Sequence, residues 1–68
     1  MSDAELAMAE RHVQEARLIV ERHRERVAQL ERTGADSRDA RMMLGVCEDN
    51  LRIFEGHRDY LKNQREQK

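Results

Sequence analysis

Apolar residues recur along this chain at alternating steps of three and four, in two stretches separated by Gly34. The first stripe holds Leu6, Ala9, Val13, Ala16, Val20, His23, Val27 and Leu30. The second holds Ala40, Leu44, Cys47, Leu51, Phe54, Arg58 and Leu61. Such spacing keeps a stripe on one side of an α-helix, so each stretch predicts a long amphipathic helix and not a strand.

Local signals set the predicted boundaries. Ser2 followed by Glu5 reads as a capping box, and Asp3 and Glu5 suit the positive end of a helix. The first helix is predicted over about 3–33, ended by Gly34 as a left-handed cap residue. The turn spans 34–36, and Asp36 or Ser37 caps a second helix running from about 37 to about 62. The polar tail 63–68 is expected to fray. So short a connection forces the helices to fold back, which predicts a single all-α domain, an antiparallel helical hairpin.

Folding the sequence about Ala35 sets Ala9 opposite Leu61, Ala16 opposite Phe54, Val20 opposite Leu51, Val27 opposite Leu44 and Leu30 opposite Ala40. Small faces large in three of these layers, which fills a seam at native density. Helix 2 carries more apolar surface than one partner covers. Met43, Val46, Ile53 and Tyr60 widen its apolar sector to roughly 160°, and Met8, Leu18 and Ile19 give helix 1 a smaller surplus. Two hairpins set face to face would bury this surface as a two-fold four-helix bundle. The expected dimer interface is Ile19, Met43, Val46, Asn50, Ile53 and Tyr60, with Asn50 placed to select one pairing by hydrogen bonding.

Chain length points the same way. A chain of 68 residues buries only about 60% of its unfolded surface, so a lone core is marginal. Its single cysteine cannot form an internal disulfide, and no CxxC or HxxxH pair suggests a structural metal. Self-association is the remedy left.

Charged residues make up 40% of the chain, yet the formal net charge is only −1. This describes the solvated sides of helices, and the regular apolar spacing argues against disorder. Arg22, Arg24, Arg26, Arg32, Arg38 and Arg41 gather toward the turn, but Glu21, Glu25, Glu31, Asp36 and Asp39 nearly cancel them. Without a net basic footprint or stacking aromatics, nucleic-acid binding is not expected. Salt-bridged solvent faces explain these residues, with Glu48 and Arg52 an expected i,i+4 pair.

His23 and Cys47 are the sharpest polar pair, because the fold-back places both seam residues in one layer. Two such pairs across a dimer axis would make a tetrahedral zinc set, whereas the plain reading is a small buried thiol beside a hydrogen-bonded histidine. No metal and no cofactor are expected, since the ligands lack local spacing motifs. A solid seam offers no substrate pocket, so no catalytic residue and no enzymatic activity are expected. His12 and His57 fall near one another at the open end, beside Arg58 and Asp59, as a surface polar cluster. Arg58 breaks the apolar repeat, its stem covering the core edge while its guanidinium reaches water, Asp59 or Glu15. No stretch approaches the roughly 20 apolar residues that span a bilayer. The start Met1-Ser2-Asp3-Ala4-Glu5 lacks a secretory layout, so a cytoplasmic location without membrane attachment is expected.

Ala9-Glu10-Arg11-His12-Val13, Arg26-Val27-Ala28-Gln29-Leu30-Glu31, Gly34-Ala35-Asp36 and Phe54-Glu55-Gly56-His57-Arg58-Asp59 resemble segments of short uncharacterised helical-hairpin proteins typical of alphaproteobacteria. That resemblance spans most of the chain and implies a hairpin, with no activity attached. In shape the chain is also similar to the plasmid copy-number regulator Rop, a hairpin dimer that binds paired RNA loops; shape alone does not carry function. The expected role is a non-enzymatic, homodimeric helical interaction or regulatory module. The alternatives are a Rop-like nucleic-acid-binding regulator, a His23–Cys47 metal or redox site in the bundle core, and an apolar flank that receives an unidentified protein's helix.

Overall fold

The computed structural model describes residues 3–66. Two helices, α1 (Asp3–Arg32) and α2 (Arg38–Glu66), pack against each other as a hairpin of 54 × 14 × 12 Å. Ser2, which carries half of the expected capping box, lies outside the described residues.

The turn follows from hydrogen bonding at the end of α1. Gly34 has φ 75°. Its N–H donates to the Glu31 carbonyl (3.3 Å), and the Ala35 N–H reaches back to the Leu30 carbonyl (2.9 Å). These two bonds form a Schellman motif, which satisfies carbonyls that a helix end leaves orphaned. The Thr33 hydroxyl donates to the Leu30 carbonyl as well (3.1 Å). At the start of α2, Asp36 Oδ1 accepts the Arg38 backbone N–H at 3.0 Å, and the Ser37 carbonyl accepts the Arg41 N–H. The two residues therefore share the capping work.

Buried side chains sit almost wholly on α1: Leu6, Ala9, Val13, Ala16, Val20 and Val27. On α2 only Leu61 is buried, in one cluster with Leu6 and Ala9. The remaining predicted seam residues of α2 are more exposed than a closed core requires. Ala40, Leu44, Cys47 and Leu51 are half-buried, as are His23 and Leu30 of α1. Phe54 is 36% exposed and stands at the seam margin. The reason is steric: a large side chain covers the small one opposite it, and nothing lies beyond to cover the large one.

Two further expectations are corrected. The tail does not leave the helix at residue 62: α2 continues to Glu66. There Leu61 packs against the first turns of α1, Gln64 is half-buried, and Arg65 reaches Asp3 at 3.4 Å. Glu48 and Arg52 do not pair. Glu48 is held by Arg24 at 3.1 Å, while Arg52 turns to Asp49 at 2.7 Å.

Candidate interaction face

The two long sides of the hairpin differ, and ion pairs make the difference. Arg17, Arg24 and Glu31 lie one heptad apart on α1, and each meets a residue of α2: Arg17–Glu55 at 3.4 Å, Arg24–Glu48 at 3.1 Å, and Glu31–Arg41. These exposed pairs contribute roughly 0–1 kcal/mol each. Their structural effect is to lay a polar strap along one side of the seam.

The opposite side is apolar and dimpled. Toward the turn, a hollow of ≈ 340 Å³ is lined by His23, Arg26, Leu30, Asp36, Asp39, Ala40 and Met43. At mid-length, one of ≈ 210 Å³ is lined by His12, Glu15, Ala16, Ile19, Cys47, Asn50 and Phe54. At the open end, one of ≈ 300 Å³ is bounded by Ala4, Glu5, Met8, Ala9, His12 and His57. All three histidines of the chain line this row of hollows. The His12 ring lies 5.4 Å from that of Phe54, tilted by 49°.

Around the hollows, Met8, Ile19, Met43, Val46, Ile53, Phe54 and Tyr60 stand partly in water, Ile53 at 68% exposure. At about half exposure of residues that each offer roughly 150–250 Å² in full, they present on the order of 700 Å² of largely apolar surface. That exceeds the ~300–600 Å² patch of an ordinary monomer and approaches the ~800 Å² per partner of a standard interface.

The six residues assigned to a dimer interface from sequence, Ile19, Met43, Val46, Asn50, Ile53 and Tyr60, are all exposed. On α2 they form, with His57, a second run of alternating threes and fours beside the seam: 43, 46, 50, 53, 57, 60. A matching run on α1 passes through Met8, His12, Glu15, Ile19, Arg22 and Arg26. Sequence reasoning left His12, Glu15 and His57 out of this face. The signal was present in the two runs, but their polar and charged members hid it.

His23 and Cys47 are not brought into one hollow: His23 borders the turn-end hollow and Cys47 the middle one. Among the described residues no group of three or more His, Cys, Asp or Glu is arranged to hold a metal ion. His12 and His57 share the open-end hollow, and Arg58 is bound to Asp59 with Nε at 3.0 Å from Oδ1.

Three of the six arginines near the turn are engaged with carboxylates. Arg24 holds Glu48, Arg41 holds Glu31, and Arg38 forks onto Asp36 with Nη2 2.8 Å from Oδ2. The Arg38 guanidinium, helped by the Arg38 backbone N–H, holds the Asp36 carboxyl below its ordinary value, and Asp36 in turn raises Arg38. Three cations that could meet phosphates are thereby neutralised locally. No described helix is long and apolar enough to cross a membrane. No protein-family model matches the chain, and no curated protein or solved structure is significantly similar to it.

Proposed function

We propose that this hairpin is a non-enzymatic helical interaction module that self-associates through its apolar, dimpled side into a four-helix bundle. One observation carries this reading: apolar side chains and hollows gather on one side of the seam, while cross-helix ion pairs line the other. Among the described residues seven apolar side chains are buried, of which Val13 and Val20 fall to 1% exposure. Such a core is thin for an independent domain. Covering the exposed apolar side would remove further apolar area from water, a driving force set against the ordering and desolvation costs of association. The hollows fit the knobs-into-holes habit of helical bundles, in which side chains of one pair seat between those of the other.

Sedimentation equilibrium across the micromolar range tests the proposal. A dimer mass with helicity that rises alongside association supports it. A folded, fully helical monomer at the highest concentration defeats it.

A further inference from the structure

We infer that two copies pair through this side with their turns at opposite ends, Glu15 of each lying against Arg22 of the other. The inference rests on the self-association proposed above and adds an orientation to it.

Glu15, Leu18, Ile19 and Arg22 border one shallow hollow on the outer edge of α1. Glu15 and Arg22 are two turns apart, about 10.5 Å along the axis, too far to pair within one helix. Neither forms an ion pair among the described residues. The order acid, apolar, apolar, base is self-complementary when reversed. A second α1 laid antiparallel about the Leu18–Ile19 midpoint sets each acid against a base twice, with Leu18 and Ile19 between them.

α2 admits the same axis. Counting inward from the cluster where Leu61 meets Ala9, the Leu18–Ile19 midpoint stands at the height of the Leu51–Arg52 midpoint. About that second point the positions of the outer run of α2 coincide on reversal, although the residues differ. Met43 mirrors Tyr60, Val46 mirrors His57, and Asn50 mirrors Ile53. One two-fold axis across the hairpin therefore serves both helices. It also places a methionine sulfur against an aromatic ring at each end, a favourable contact.

The competing arrangement, with turns at the same end, stacks α1 on the second copy's α2. By the same count Glu15 and Arg22 stand level with Glu55 and Glu48, where the outer run of α2 presents Ile53 and His57, and Val46 and Asn50; it offers Glu15 no arginine or lysine and Arg22 no carboxylate. The opposite-end pairing instead uses two charges that have no partner.

Charge reversal in the full chain tests the orientation. Glu15→Arg and Arg22→Glu each replace two attractive contacts per dimer with like-charge contacts, so each is expected to weaken association about tenfold. The double variant Glu15→Arg/Arg22→Glu restores both contacts with signs exchanged, and its dissociation constant returns to within about threefold of the native value. Same-end pairing predicts single variants that associate as the native chain does, because the outer run of α2 opposes neither position with an arginine, lysine or carboxylate; that outcome overturns the orientation. A second readout uses Ala35→Cys in a Cys47→Ser background under mild oxidation. Opposite-end dimers stay uncrosslinked, whereas a disulfide-linked dimer at the turn overturns the orientation. A native dimer without rescue in the double variant also overturns the orientation and leaves self-association standing. A native chain that stays monomeric overturns both.

Discussion

Replacing Ile53 with alanine separates an isolated hairpin from a paired one, because the two states predict effects of different kind. Ile53 is 68% exposed, so the hairpin hides only about a third of its surface. Truncation removes three carbons. At ~0.8 kcal/mol per buried methylene, the isolated hairpin loses about 0.8 kcal/mol and regains roughly 0.4 from the better helix propensity of alanine. The net change within one copy is therefore under about 0.5 kcal/mol. If pairing covers the remaining two-thirds, each copy loses about 1.6 kcal/mol more, some 3 kcal/mol per dimer, or roughly a hundredfold in Kd. The assay is a pair of thermal melts by circular dichroism, at about 5 and 200 µM, with sedimentation equilibrium on the same samples. The native chain is expected to melt higher at the higher concentration, and Ile53→Ala to lose most of that difference. Equal melting of both proteins at both concentrations would show that Ile53 remains in water and that the apolar side has no occupant.

Three other outcomes follow from the described geometry. An added Cβ at Gly34 meets nothing within 4 Å, so Gly34→Ala is charged only for its left-handed backbone. That cost is about 1–2 kcal/mol, partly offset through the unfolded state, and should lower Tm by about 5 °C; an unchanged Tm would show that the turn has another conformation. Val20→Ala empties a site of 1% exposure and should cost about 2–3 kcal/mol, whereas Val46→Ala at 49% exposure costs far less at low concentration; similar losses would refute the seam. Asp36 contributes through its charge, since Arg38 holds its pKa below the ordinary 3.8. A depressed carboxylate stabilises the fold above its unfolded pKa and loses that effect as pH falls through the folded value. The stability gap between native and Asp36→Asn protein should thus persist at pH 7 and close as pH falls below the ordinary carboxylate range; a gap independent of pH would assign the role to the backbone cap alone.

The sequence by itself determined the two helices, their antiparallel return and the place of the break. These are local matters: a 3-4 apolar run commits a stretch to one helical stripe, and a glycine after Arg32 admits the left-handed residue that closes α1. It also disclosed which residues lie near the seam, Leu6 through Leu61, because each sits on a stripe that only a neighbouring helix can cover. Tertiary structure decided how deeply each is buried and which flank stays open. The fate of Phe54, the diversion of Glu48 from Arg52 to Arg24, and the extension of α2 to Glu66 all depend on what the opposite helix presents at the same height. An exposed arginine has carboxylates in reach on its own helix and across the seam, and periodicity does not rank them. Register does, by bringing Arg17, Arg24 and Glu31 level with their partners on one side, while methionine, isoleucine and tyrosine stand exposed among polar residues on the other.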